Sequence, residues 1–241
     1  EVTEYTDPYA FANVTKPEDY KAFLAGEEKN AAHIFGAHER TVNGVKGVLF
    51  NVWAPKALSV SVVGEFNKYD GRVHLMERIE DTGVFELFIP GLAAGCGYMY
   101  EIKRQGKGTT RKLDPVSRQI SSVPITASVV SDENMPDSYA WNDGLWMIKR
   151  KKEAGKKKPV TVYEVSLTDW LKEKSADELV DFVKQEGYTH VCFLPVAEYL
   201  NEEMNGYSTL GYFTVTHRIG GSDAFKKLVD DCHNAGIGVI I

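Results

Sequence analysis

Residues 187–241 arrange their apolar and turn residues as a strand, a long aromatic loop, a helix and a second strand. The strands are expected at 189–194 and 237–241, and Ser222 and Asp223 are expected to cap the helix between them. Strands joined through a helix run in the same direction, and parallel strands are normally buried on both faces. This segment therefore predicts a buried parallel sheet whose strands alternate with helices.

A further strand and helix precede this segment. Residues 160–167 are a predicted strand, and Ser175 with Glu178 forms a capping box that opens a helix. Residues 159–241 then follow the order β-α-β-α-β, with right-handed crossovers expected. A closed (β/α)8 barrel has eight strands, so three strands would leave an open edge.

In residues 33–131 apolar residues occur at every second position. Short alternating runs are separated by turn residues, as at Asn43-Gly44 and Asp70-Gly71. Such runs, spaced about a dozen residues apart, are typical of an antiparallel β-sandwich. The inward-facing residues are expected to include Val48, Phe50, Val52, Val60, Val62, Phe85, Leu87, Ile89, Tyr98 and Tyr100, and Trp53 is also placed in the core.

The remaining residues form a lead-in and a linker. Residues 1–32 are polar, with a short helix expected at 17–26, where Pro and acidic residues open the first turn and Gly follows the last. Residues 132–158 are interpreted as a linker whose Trp141, Trp146 and Met147 pack against neighbouring domains. Its lysine runs are interpreted as solvated, because no aromatic residues interleave them.

Composition narrows the possible functions. The chain has 28 Lys and Arg against 34 Asp and Glu, a net charge of −6, which argues against a nucleic-acid surface. No apolar stretch is long enough to span a membrane, and Cys96, Cys192 and Cys232 are interpreted as free thiols. Histidine and cysteine spacing predicts no metal site, and no phosphate loop or dinucleotide fingerprint predicts a cofactor. A cytoplasmic protein is the expectation.

Several motifs, in order, resemble one family. The runs VWAPKA at 52–57 and VSVVGEFNKYDGR at 60–72 are similar to the N-terminal carbohydrate module of glycogen branching enzymes. The runs YEVSL at 163–167, GYTHV at 187–191 with LPV at 194–196, and GY at 206–207 followed by GYF at 211–213 look like the opening of their α-amylase-type barrel. DDCHNAGIGVII at 230–241 looks like the next helix and third strand. The resemblance implies a carbohydrate-binding, immunoglobulin-like sandwich followed by the first three βα units of a truncated TIM barrel.

The resemblance also implies an activity. Such an enzyme cleaves an α-1,4 linkage of glucan and transfers the chain to a 6-hydroxyl through a carboxylate nucleophile and a carboxylic general acid/base, as a retaining glycosidase does. In the family these groups follow later strands, and the first catalytic-region aspartate would come after Ile241. No catalytic residue is therefore assigned, and the chain is expected to be an N-terminal fragment that is inactive alone.

Three residues are the candidate glucan contacts. Tyr207 matches the family's tyrosine that stacks on the sugar, and the preceding Asn205 stands where the family usually has tryptophan. Tyr69 stands where tryptophan is common on the sandwich. Three further residues differ from those usual in the family. Met99 stands where the family has lysine, Ser166 where it has histidine and Ser208 where it has glutamine.

Two alternatives remain open. The chain could be a non-catalytic α-glucan-binding protein that uses the sandwich and the Tyr207 loop. It could also be a fragment of a debranching or trehalose-forming relative with the same modular order.

Overall fold

The computed structural model describes residues 11, 13–121, 125–132, 139–201 and 204–241. Parts of the expected lead-in and linker, at 1–10, 12 and 133–138, lie outside the described residues. The chain divides into two compact units, one of 1–135 with Gly211–Phe213 and one of 136–210 with Thr214–Ile241.

The described strands and helices, in chain order, are as follows. The strands are β1 Gly36–Val42, β2 Val45–Trp53, β3 Ser59–Gly64, β4 Glu77–Ile79, β5 Val84–Pro90, β6 Gly97–Arg104, β7 Gly108–Lys112, β8 Ile120–Ser121, β9 Ala127–Val129, β10 Val162–Val165, β11 His190–Phe193, β12 Ala197–Tyr199, β13 Thr209–Val215 and β14 Gly238–Ile240. The helices are α1 Pro17–Leu24, α2 Gly144–Glu153, α3 Leu167–Trp170, α4 Ala176–Gln185 and α5 Gly221–Asn234. No helix of the described part of the chain is both long and apolar enough to cross a membrane.

The first unit is an antiparallel β-sandwich, as the alternating pattern predicts. One sheet has the strand order β1-β2-β5-β4 and the other β3-β6-β9-β8, with β7 also paired to β6. The residues predicted to face inward fill the space between the sheets, and Leu87 is only partly buried there. Each of these strands places alternate side chains on the core, which is the expected consequence of the two-residue period.

The outer face of β2 and β5 is also buried, which the two-residue period did not indicate. Glu86 is buried there, and its carboxylate accepts hydrogen bonds from the backbone N–H groups of Val14 at 2.6 Å and Thr15 at 3.2 Å. Tyr20 of α1 donates its hydroxyl to the same carboxylate at 3.0 Å. Asn51, the β2 partner of Glu86, donates to the Thr15 hydroxyl at 3.2 Å. The lead-in therefore packs as a cover on this sheet.

The prediction that Trp53 lies in the core is wrong. Trp53 is the last residue of β2 and is 48% exposed. Its ring meets that of Phe23 from α1 edge-to-face, with centroids 5.4 Å apart. The prediction failed because a buried strand does not bury every side chain equally. Trp53 points to the outer face of the sheet, at the edge of the area that the described lead-in residues cover.

The second unit contains a three-stranded parallel sheet of order β10-β11-β14. The capping box forms as predicted, because the Ser175 hydroxyl accepts from the Glu178 N–H and the Glu178 carboxylate accepts from the Ser175 N–H. Helices α4 and α5 pack on one face of the sheet through an apolar core that includes Leu179, Leu228 and Cys232. The apolar residues of each helix recur at the helical period and face this core.

The predicted cap of α5 is wrong. The helix begins at Gly221, so Ser222 and Asp223 lie in its first turn, and the N-cap is Gly220 at a φ of 88°. That backbone conformation suits glycine and needs no side-chain cap.

The linker region contains a helix that its sequence did not indicate. No residue of α2 is buried, so there was no apolar stripe to find. The segment before α2 and the first turn of α2 both contact α5: Asn142 N–H donates to buried Asp230 at 3.0 Å, and the Trp146 ring of α2 stacks on the His233 ring at 4.9 Å. Trp141 and Met147, expected to be packed, are about half exposed.

Candidate functional site

Tyr69 lies in the connection between β3 and β4, which is built around Asn67. The Asn67 side chain accepts from the Gly64 N–H at 3.0 Å and donates to the Val62 carbonyl at 2.8 Å. It also contacts His74 Nδ1 at 2.9 Å, on the far side of the loop. Asn67 is buried, so these bonds are shielded from water and hold the loop in one conformation.

The backbone at Tyr69 is in an uncommon conformation. Lys68 and Tyr69 have φ values of 55° and 57°, a left-handed geometry that costs a non-glycine residue roughly 1 kcal/mol or more. Backbone bonds offset this cost, since the N–H groups of Lys68 and Tyr69 donate to Glu65 and Gly64 carbonyls at 3.0 and 2.9 Å. The structure therefore maintains a strained turn that presents the Tyr69 side chain.

Arg111 on β7 supports the Tyr69 ring. Its guanidinium carbon lies 5.7 Å from the ring centroid, and its Nη2 donates to the Tyr69 carbonyl at 2.9 Å. Arg111 Nε also donates to Glu101 at 3.0 Å, which fixes the guanidinium. A cation held over one face of the ring orients it and leaves the rest of the ring to other contacts.

The half-buried Tyr69 borders a groove of about 330 Å³ on the sandwich. Its other lining residues include Glu65, Gln119, Ser121, Ile125 and Val129. An aromatic ring beside carboxylate, amide and hydroxyl groups can contact the apolar face of a pyranose and hydrogen-bond its hydroxyls.

Met99 lies between Tyr98 and Tyr100 on β6. Both tyrosines are buried in the core, so Met99 belongs to the opposite face of the sheet and is half-buried there. A thioether is at most a weak acceptor, so Met99 cannot replace the charged donor that the resemblance associates with this position.

Tyr207 lies in the loop between β12 and β13, and its side chain is 62% exposed. The two residues before it have left-handed backbones, with φ values of 48° at Asn205 and 85° at Gly206. Asparagine is among the residues that tolerate this conformation. The Tyr207 N–H then donates to the Met204 carbonyl at 2.9 Å, which closes the turn. Asn205 therefore helps set the backbone that presents Tyr207.

The structure places Tyr69 in the first unit and Tyr207 in the second. Of the further departures, Ser166 caps α3 by accepting from the Asp169 N–H at 3.3 Å. No group of three or more histidine, cysteine or acidic side chains within the described ranges is placed to share a metal ion.

Sequence reasoning missed the acidic residue at the base of the Tyr207 loop. Glu198 on β12 is 3% exposed and binds Arg218 Nη1 at 2.7 Å and His217 Nδ1 at 2.9 Å. Burial alone would raise the pKa of Glu198, but hydrogen bonds from His217 hold it below its usual value. A single glutamate followed by distant basic residues gives no recognisable spacing, so the sequence offered no signal for this contact.

Comparisons with known proteins cover both units. The model of carbohydrate-binding module 48, the isoamylase N-terminal domain, matches residues 34–117. The 1,4-alpha-glucan branching enzyme GlgB of Methylococcus capsulatus is 41% identical over 98% of this chain and 33% of the relative. That of Thiobacillus denitrificans is 42% identical over 97% of this chain and 32% of the relative.

A solved structure is also similar. The catalytic module of the multi-modular glycogen-degrading pneumococcal virulence factor SpuA has a TM-score of 0.58 and 22% identity, covering 86% of this chain and 36% of that one. At this identity the likeness concerns the fold alone. The chain spans about a third of the length of the curated relatives it matches. Over nearly its whole length the chain is therefore similar to the N-terminal portion of 1,4-alpha-glucan branching enzymes, and its residues 34–117 match carbohydrate-binding module 48.

Proposed function

We propose that this chain is the α-glucan-binding portion of an enzyme that transfers α-1,4-linked glucan chains to 6-hydroxyls. The observation that carries the proposal is the match to branching enzymes, which extends over 98% of the chain and so includes both units. The ordered presentation of half-buried Tyr69 and exposed Tyr207 supports it, because an aromatic ring that reaches the surface can contact the apolar face of glucose. Asn205 contributes by setting the turn before Tyr207.

The second unit is proposed to be the first three βα units of an amylase-type barrel. Helices cover one face of its parallel sheet, while Val162 and Ile240, on the opposite face of the two outer strands, are exposed. Parallel sheets normally have both faces covered, and further barrel strands would cover this one. The nucleophile and acid/base of the retaining reaction would follow later strands, so none is assigned to this chain.

The 241-residue chain is expected to show no branching activity. The proposal assigns the nucleophile and the acid/base, two carboxylates about 5 Å apart in a retaining enzyme, to later strands, so this chain should form no glycosyl-enzyme. The measurement incubates the purified chain with amylose and follows the iodine absorbance and the chain-length profile after debranching. A full-length relative serves as the positive control, and branching by the chain itself would show that a catalytic pair is present in it.

The chain is expected to bind glycogen through the two tyrosines. Tyr69→Ala and Tyr207→Ala should each weaken retardation in glycogen-containing gels on the order of fivefold to tenfold, since one ring contact contributes about 1 kcal/mol. Val73→Ala and Leu145→Ala remove exposed apolar side chains from the same two units and should leave the retardation unchanged.

The groove beside Tyr69 favours one alternative, a non-catalytic glucan-binding role of the sandwich. If Tyr69→Ala abolishes the retardation and Tyr207→Ala leaves it intact, this alternative replaces the first proposal for the chain. If neither variant binds glycogen less well than the unaltered chain, both assignments of glucan contacts fail.

A further inference from the structure

Glu198 joins the two ends of the loop that carries Tyr207. It lies on β12, where the loop begins, and its partners Thr216, His217 and Arg218 follow the end of β13. Arg218 also places its guanidinium 4.1 Å from the ring centroid of Tyr199, the residue after Glu198. We call Glu198, Tyr199, Thr216, His217 and Arg218 the Glu198 cluster.

Five donors reach the Glu198 carboxylate. Besides the Arg218 and His217 side chains, it accepts from the N–H groups of Tyr199 at 3.1 Å and His217 at 3.0 Å, and from the Thr216 hydroxyl at 3.2 Å. Donors from both ends of the loop therefore converge on one buried carboxylate. Removing that carboxylate would leave the Tyr199 N–H and the partly buried Arg218 guanidinium without this acceptor, which is more costly than losing an exposed pair.

The strands that flank the loop, β12 and β13, also pair as a two-stranded sheet, and further backbone hydrogen bonds lie among the described residues near the loop. Leu200 N–H donates to the Ser208 carbonyl at 3.1 Å, and the Tyr207 N–H closes its local turn with Met204. At its far end, the Thr216 N–H donates to the Val196 carbonyl at 2.9 Å. Because the end-to-end separation of a loop limits its conformations, the cluster at its base adds to the β12–β13 pairing in restricting where Tyr207 can lie.

We propose that Glu198 is a positioning residue: by binding both ends of the loop it holds Tyr207 in the exposed position from which the ring contacts glucan. The inference rests on the proposed function for the glucan contact. The restraint of the loop by Glu198 stands on the geometry of the Glu198 cluster alone.

The test compares Glu198→Gln and Arg218→Met with the unaltered 241-residue chain. Glutamine retains the size of Glu198 but lacks the charge and one acceptor oxygen, whereas methionine keeps an unbranched side chain beside Tyr199 without the guanidinium. Hydrogen–deuterium exchange is followed in peptides covering 199–210, and glycogen affinity is measured by gel retardation. Both measurements are made at a temperature at which circular dichroism shows every variant folded.

Exchange in the 199–210 peptides should become about tenfold faster in both variants, while peptides from β6 remain unchanged. Glycogen affinity should fall to that of Tyr207→Ala, and combining Glu198→Gln with Tyr207→Ala should produce no further loss. A general loss of stability would instead speed exchange in many segments and would not give this lack of additivity. Asp169→Asn removes the exposed pair with Lys172 in the same unit and should change neither measurement.

Unchanged exchange in 199–210 overturns the proposal, whatever the glycogen result. Faster exchange with unchanged glycogen affinity, where Tyr207→Ala does lower that affinity, also overturns it. If Tyr207→Ala itself leaves the affinity unchanged, the glucan role of Tyr207 fails, and faster exchange would still support the restraint of the loop by Glu198. If Glu198→Gln does not fold, the proposal is tested with Arg218→Met, by the same exchange and glycogen-affinity measurements.

Discussion

Asp114→Ala is expected to destabilise the first unit by about 3 kcal/mol, because it removes the acceptor shared by two buried tyrosine hydroxyls and one partly buried backbone N–H. Asp114 is 1% exposed. Its Oδ2 accepts from the Tyr98 hydroxyl at 2.6 Å and the Tyr100 hydroxyl at 3.3 Å, and its Oδ1 accepts from the Val116 N–H at 2.9 Å. Each unsatisfied buried donor costs about 1–3 kcal/mol, and relief from burying a carboxylate offsets part of the total.

The same residue gives the first unit a pH-dependent stability. Burial raises the pKa of Asp114, although hydrogen bonds from Tyr98 and Val116 oppose the shift. Between the unfolded pKa of about 4 and the higher folded value, the folded state binds more protons than the unfolded state. This contribution to stability is therefore present at low pH, is lost as pH rises through that window and levels off above the folded pKa. Asp114→Asn should remove this slope.

The measurement is a urea titration at several pH values, read by hydrogen exchange in peptides from β6 so that the first unit is observed separately. Asp114→Asn should lose less stability than Asp114→Ala, since its side chain still offers one acceptor oxygen. Glu77→Ala removes an exposed carboxylate on β4 and should stay within about 0.5 kcal/mol of the unaltered chain. An Asp114→Ala loss of less than 1 kcal/mol would contradict the assigned role.

The spacing of apolar residues predicted those strands and helices that pack against other strands and helices. Val48, Phe50 and Val52 alternate because one side of β2 faces the opposite sheet, and Leu179 marks the buried face of α4 in the same way. The two-residue alternation of apolar side chains gave no indication that the other side of β2 is also buried. Its cover comes from residues 14–20, which are distant in sequence and mostly polar.

The candidate sites were only partly predictable for the same reason. Motif resemblance singled out Tyr69, Asn205 and Tyr207, but the contacts that present them depend on backbone conformation and on long-range partners. Arg111 reaches Tyr69 from β7, and Glu198 meets Arg218 across the whole Tyr207 loop. Neither pair has a spacing that a helix or a turn would impose, so only the folded chain reveals them.

Gly47→Ala should destabilise the sandwich by about 3 kcal/mol, the upper part of the range for added core volume. Gly47 pairs with Pro90 where β2 meets β5. A β-carbon at Gly47 would overlap the Ile89 carbonyl oxygen and would lie 2.8 Å from the Pro90 α-carbon. Both neighbours are backbone atoms of a paired strand, so relieving the overlap requires the β2–β5 pairing to separate.

Gly97→Ala is the matched control, because Gly97 is also a strand glycine without a positive φ. Its added β-carbon would lie 3.7 Å from the Ala127 β-carbon, an ordinary contact. This variant should be neutral or gain up to about 1 kcal/mol, since alanine restricts the unfolded chain more than glycine does. The comparison uses urea unfolding read by hydrogen exchange in β2 and β6 peptides. A Gly47→Ala effect as mild as the neutral or stabilising effect expected for Gly97→Ala would mean that the close approach of β5 does not govern Gly47.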